Sequence, residues 1–138
     1  MLYIANRRAA ITRIFKNGWF ERFARKERLA DTALREAVQR AESGLVDADL
    51  GGGVIKQRVA RAGKGKSGGY RTLILFRHSD RAIFAFGFAK AKQANITKAD
   101  LALLREAATE ALEWSDEELD SLVAAGTLVE IKDVDDEE

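Results

Sequence analysis

Apolar positions along this chain change their period twice, and the changes mark out its elements. From Trp19 to Ser43 the spacing is helical, with Trp19, Phe20, Phe23 and Ala24 on one stripe and Leu34, Val38 and Ala41 on the next. The spacing predicts two helices broken near Leu29–Asp31, with Asp31 as the second N-cap and Gly44 as its C-cap. Before them, Ile11 to Lys16 is short, β-branched and aromatic, and it reads as a strand ending at Asn17-Gly18. After a loop from Gly44 to Val54, alternation takes over: Ile55, Gln57, Val59 and Arg61 share one strand face, and Val54, Lys56, Arg58 and Ala60 share the other. Tyr70–Arg77 is a second such strand, His78-Ser79-Asp80 a tight turn, and Arg81–Phe88 the return. Around Ile96 the helical period comes back. Thr97 caps a helix carrying Leu101, Leu104, Ala108 and Leu112, and Ser115 opens a shorter one that ends before Gly126.

This order predicts an α+β fold: a small antiparallel sheet, built as a three-strand meander plus an N-terminal strand, flanked by helices. One face of such a sheet is expected on the core and the other open to solvent. Residues 1–132 read as a single domain, and the tail 133–138, DVDDEE, is too charged and apolar-poor to pack.

Composition narrows the chemistry. The chain has 138 residues, no cysteine and a single histidine, His78, so neither a disulfide framework nor a zinc site is expected, and no cofactor. No apolar stretch is long enough to cross a bilayer and no secretory signal is legible, which favours the cytoplasm. Charge changes the picture more. Residues 1–98 hold 21 Lys and Arg against 8 Asp and Glu, whereas residues 99–138 hold 2 against 14. Such polarity fits a nucleic-acid face with an acidic C-terminal part; an uneven spread of solvated charge is the plainer alternative.

The basic residues concentrate between Val54 and Lys92: Lys56, Arg58, Arg61, Lys64, Lys66, Arg71, Arg77, Arg81, Lys90 and Lys92, with Asp80 the one acid. On an open sheet face they would neutralise a phosphate backbone. The segment GKGKSGG, Gly63 to Gly69, reads as a mobile cationic loop set against the strand that starts at Tyr70-Arg71. It is not a nucleotide-triphosphate loop, because Gly68-Gly69 stands where Gly-Lys should close the motif and a strand follows instead of a helix. His78 reads as a surface turn residue, with a catalytic base as the alternative. Tyr70 divides evenly between core aromatic and site residue. Trp19, Phe20 and Phe23 read as core, and Glu106, Glu110 and Glu113 as the solvated side of a helix.

The stretches RVARAGKGKSGGYRTLILF and RAIFAFGFAKAKQANI resemble toxin subunits of the RelE/ParE/HigB-like superfamily of bacterial toxin–antitoxin pairs, over roughly Ile11 to Ile131. The resemblance implies a microbial-RNase-like fold, ribosome-dependent mRNA cleavage without metal, and a cognate antitoxin that masks the basic face, expected as a helix-turn-helix protein from the adjacent gene. It assigns Arg61, Tyr70, Arg71 and Lys90 to catalysis and the remaining cations to RNA binding. It also shows a departure. Relatives often carry a catalytic tyrosine in or just before the last helix, and KAKQANITKADLALL has none. A gyrase poison of the ParE kind and a non-catalytic nucleic-acid-binding module stay open as alternatives.

Overall fold

The expected elements form, and two further strands join them. The computed structural model describes residues 11–61 and 65–132. Its order is β1 (Arg13–Asn17), α1 (Gly18–Glu27), α2 (Asp31–Glu42), β2 (Ala48–Asp49), β3 (Val54–Arg61), β4 (Gly65–Arg77), β5 (Arg81–Ala89), α3 (Lys98–Ala111), α4 (Asp116–Ala124) and β6 (Leu128–Ile131). The strands make one six-stranded sheet in the order β2-β3-β4-β5-β1-β6. β2 to β5 pair antiparallel, β1 runs parallel to β5, and β6 closes antiparallel on β1. The sheet is therefore larger than the expected meander plus one strand, and mixed. β2 and β6 span 2 and 4 residues, too few positions for alternation to show.

Both faces of the sheet are covered, which corrects the expectation of an open one. Ile14, Ile55, Val59, Tyr70, Ile74 and Phe84 pack against Phe20, Leu34 and Val38 of α1 and α2. On the opposite side Phe15, Val54, Leu73, Leu75 and Ile83 pack against Ala108 and Ala111 of α3 and Leu119 of α4. The sequence carries the reason. The runs Leu73-Ile74-Leu75-Phe76 and Ala82-Ile83-Phe84-Ala85 are continuously apolar, the signature of a strand buried on both sides.

Local chemistry sets the joints. Asn17 ends β1 and caps α1, its side chain accepting from the Phe20 N–H at 2.8 Å while its amide donates to the Ala85 carbonyl at 3.1 Å. Thr97 and Ser115 cap α3 and α4 as expected. The second helix is displaced by one position at each end: Ala30 is its N-cap and Ser43 its C-cap, with Gly44 just beyond at φ +89°. Asp31, inside the first turn, meets the buried Lys16 ammonium at 3.2 Å, which also pairs with Glu21 at 2.8 Å. Arg13 fastens the C-terminal elements. Its guanidinium pairs with Glu130 of β6 at 2.9 Å and with Asp120 and Asp116 of α4 at 2.8 and 3.3 Å.

The glycine segment is the main revision. Gly65 to Gly69 belong to β4, with Gly65 paired to Arg61, so the mobile-loop reading does not hold for them; Ala62 to Lys64 lie outside the described residues, as does the tail 133–138. The pairing of β3 with β4 shifts register between Val59 and Arg61, a bulge that pushes the β3 backbone toward Gly69. A Cβ there would overlap the Val59 carbonyl oxygen and stand 3.0 Å from the Arg61 nitrogen. Glycine is required by this approach of two backbones, not by any loop freedom. We expect Gly69→Ala to lower unfolding stability by about 1–3 kcal/mol, the usual cost of forcing atoms into a packed site. An unchanged urea midpoint would show that the bulge relaxes freely.

Candidate nucleic-acid interface

Alternation along β4 decides which of the sequence-nominated residues can act together. Tyr70 and Arg71 are neighbours in a strand, so they point to opposite faces. Tyr70 is 1% exposed and belongs to the α1/α2 core, where its ring meets Phe23 edge-on at 5.8 Å. Its hydroxyl donates to Glu27 at 2.8 Å. Burial and then that carboxylate push the phenol above its ordinary value, against a smaller opposing pull from Arg61. A base role needs the opposite shift.

Arg71 faces the other way, in register with Arg58 of β3 and Phe88 of β5. Among the described residues its Nη1 is the one buried side-chain nitrogen or oxygen with no hydrogen-bond partner. A buried donor left unpaired costs roughly 1–3 kcal/mol, more when charged, so Arg71 is the described side chain with the most to gain from an acceptor. Around it lie further cations. Arg61 is exposed, pairs with Gly65 in the β3–β4 register, and acts on the charge of the Tyr70 phenol, on the face that Arg71 turns away from. Lys90 and Lys92 are exposed in the turn after β5, and the Lys90 N–H donates to the Gly69 carbonyl at 3.2 Å. Lys56 reaches Asn95 at 3.3 Å. Among the described residues none of Lys56, Arg61, Arg71, Lys90 and Lys92 enters a salt bridge. Toward this end of the sheet Arg61, Arg71, Lys90 and Lys92 supply guanidinium and ammonium donors of the kind that pair with anions.

Other nominated cations sit elsewhere. Arg81 is 3% exposed, with its guanidinium on Asp80 at 2.9 Å and on the Ala111 carbonyl at 3.1 Å. Arg77 is exposed but bound to Asp80 at 2.6 Å and to Glu113 at 3.5 Å, at the β4–β5 hairpin, the opposite end from Gly69. These two arginines fasten the hairpin to α3 and its C-terminal end, and so leave the proposed RNA surface. Arg58, by contrast, is exposed and registered opposite Arg71; Asp47 accepts from its N–H at 2.7 Å and lies 3.5 Å from its guanidinium. Lys64 is outside the described residues, and Lys66 falls within β4. His78 is exposed at the hairpin turn, with Nε2 3.1 Å from the Glu42 carbonyl oxygen, a turn contact far from the cluster. Among the described residues no group of His, Asp and Glu is gathered closely enough to hold a metal ion.

Sequence reasoning missed Glu27 and Asp47. Glu27 did leave a trace. A carboxylate in the last turn of a helix opposes the macrodipole, so an acid closing ERFARKE after three cations needs another partner, and Tyr70 is that partner. Asp47 lay in a glycine–aspartate loop and gave no such sign.

A family model described as RelE toxin of RelE / RelB toxin-antitoxin system matches residues 12–131. Neither a curated protein nor a solved structure matches.

The Tyr70–Glu27 pair carries a pH signature. A phenol whose folded pKa is raised contributes stability that is fully present below its unfolded value near 10 and lost as pH rises through the folded value. Unfolding free energy should therefore fall above about pH 10, and the fall should shrink in Tyr70→Phe. Superimposable pH profiles for the two proteins would remove Tyr70 as its source.

Proposed function

The chain belongs to the RelE toxin family, the toxins of RelE / RelB toxin–antitoxin systems, and from that membership we propose that it is a metal-independent, ribosome-dependent mRNA endoribonuclease neutralised by a cognate antitoxin. One observation supports this above the others: the unpartnered Nη1 of Arg71, set among cations that no described acid neutralises. In the reaction the ribose 2′-hydroxyl attacks the adjacent phosphorus and the 5′-oxygen departs. The products are a 2′,3′-cyclic phosphate and a 5′-hydroxyl end. Charge builds on the non-bridging oxygens in the transition state, and Arg61, Arg71 and Lys90 are the cations assigned to stabilise it.

Proton transfer divides differently from the cations. The Tyr70 hydroxyl is held by Glu27 on the far face and stays protonated at neutral pH, so Tyr70 anchors the start of the Arg71 segment. The proton carriers then come from the ribosome and the substrate, which accounts for ribosome dependence in a chain with no tyrosine between Lys92 and α3. The protein acts in the cytoplasm in this reading, and among the described residues no helix is long and apolar enough to cross a membrane.

The test is induced expression with primer extension on cellular mRNA, followed by cleavage on purified ribosomes. Arg71→Gln should lower cleavage by about 100–1,000-fold, the usual loss on removing one transition-state donor, with the thermal midpoint nearly kept. Arg77→Gln should leave cleavage intact. EDTA, applied at magnesium levels that keep the ribosomes assembled, should not abolish it. Inhibited DNA supercoiling with uncut mRNA would instead establish a gyrase poison.

A further inference from the structure

The segment between β5 and α3 reads Lys90-Ala91-Lys92-Gln93-Ala94-Asn95-Ile96-Thr97, and its own polar groups fix its path. The Ala89 carbonyl accepts from the Lys92 and Gln93 N–H groups at 3.0 and 3.3 Å. The Gln93 side chain donates to the Asn95 carbonyl at 2.7 Å, and Asn95 Oδ1 accepts from the Ile96 N–H at 2.9 Å. Ile96 packs on the α3/α4 core and Thr97 caps α3. These contacts settle the turn by themselves. Asn95 makes one more: its Oδ1 accepts from the Lys56 ammonium at 3.3 Å, from a residue 39 positions away in sequence. The turn does not need that contact. Its effect falls on Lys56.

Register shows what Lys56 stands beside. Lys56 is paired with Leu73 and Arg58 with Arg71, and alternation puts Lys56, Arg58 and Arg71 on the face where Val54 and Leu73 join the α3/α4 core. Lys56 is therefore the diagonal neighbour of Arg71 on that face, and diagonal positions lie roughly 7–8 Å apart, a gap that long side chains span. β3 and β5 flank β4, so Lys56 and Asn95 meet across β4, on the side to which Arg71 points. Lys56 is half-buried and Asn95 exposed, so a ligand can reach the pair.

The acceptor is an amide, and that matters. Lysine carries a compact charge on a flexible four-carbon stem, and a hydrogen bond narrows the positions the stem takes. A carboxylate would hold the ammonium and neutralise it. The Asn95 amide holds it and leaves its charge, and Lys56 enters no salt bridge among the described residues. A donor placed in advance loses less freedom when an anion arrives.

We propose that Asn95 is a positioning residue: it holds the Lys56 ammonium beside Arg71, so that the two cations meet one phosphate group together. Identifying that phosphate as part of an mRNA rests on the ribonuclease reading above. Asn95 acts through Lys56 and touches no substrate itself.

The test follows the Lys56 ammonium in the full chain by its 1H–15N NMR signal, assigned through its loss in Lys56→Ala. The signal should be sharp in the wild type and in Asn95→Asp, and broadened or lost in Asn95→Ala. The probe is a 2′-O-methyl RNA trinucleotide, which cannot be cleaved because the attacking hydroxyl is blocked. It should shift the Lys56 signal, and Asn95→Ala should weaken its binding about 3–10-fold at an unchanged thermal midpoint. Asn95→Asp should weaken it as well, since the ammonium is then held but neutralised. On purified ribosomes Asn95→Ala should slow cleavage about tenfold, and Lys56→Ala combined with Asn95→Ala should cleave no more slowly than Lys56→Ala alone. Additive losses in that pair overturn the proposal and leave Asn95 as a turn residue. So does a thermal midpoint that falls with the rate, a Lys56 signal indifferent to Asn95→Ala, or a trinucleotide that leaves the signal in place. Should the wild-type chain leave mRNA uncut on ribosomes, the ribonuclease reading fails, while the NMR signal and the trinucleotide titration still decide whether Asn95 holds Lys56 for a phosphate.

Discussion

The central strand β4 is hydrogen-bonded to β3 on one side and β5 on the other, and the alternation of its side chains organises the molecule. Even-numbered positions from Tyr70 to Ile74 go to the α1/α2 core, and Arg71, Leu73 and Leu75 go to the α3/α4 side. Because the strand is paired on both edges, it cannot rotate or slip without breaking two ladders at once. Arg71 therefore owes its position to a backbone locked by its neighbours. Its unpartnered nitrogen persists because the surrounding structure fixes it there.

Charge follows the same axis. At the hairpin end every arginine has an acid: Arg77 and Arg81 share Asp80, and Arg13 is held by Asp116, Asp120 and Glu130. Toward the Gly69 end Arg58 has Asp47, while Arg61, Arg71, Lys90 and Lys92 enter no salt bridge among the described residues. Several of the acids fasten α4 and the hairpin: Asp116 and Asp120 hold Arg13, and Glu113 meets Arg77. A protein of formal net charge +1 thus carries its charges unevenly along the sheet.

Much of this was legible in the residues. Strong periodicity gave the four helices and the strands β1, β3, β4 and β5, and turn and cap residues gave their limits to within a few positions except at the start of β4. What escaped was set by pairing across distance. Gly65 to Gly69 carry loop composition, yet the bulge in β3 makes glycine the residue that a strand needs at Gly69. The apolar runs of β4 and β5 implied two covered faces, but the count of cations drew attention to an open one. Arg81 looked like its neighbours until its burial against Ala111 separated it from them. The cations that remain site candidates, Arg61, Arg71 and Lys90, are ones that the family resemblance singled out in the sequence. Tyr70 was undecidable at that level, since its partner Glu27 lies in a helix far away in sequence.

The position of β1 has a consequence for how the chain is assembled during synthesis. β1 is the first strand of the described residues, yet it lies inside the sheet, between β5 and β6, with Arg13 registered against Arg81 on one side and Ile14 against Ile131 on the other. Neither neighbour exists while the N-terminal half is leaving the ribosome, so β1 and the helices after it must wait with an unsatisfied edge and an unshielded apolar face. Contacts of such long sequence separation close late. The cationic end needs β3, β4 and β5 together, and Arg13 needs α4 and β6. The nascent chain therefore has nothing resembling the finished anion site until most of its length has been made, and a truncated product ending before α4 would be left with Arg13 unpaired and β1 exposed as an edge.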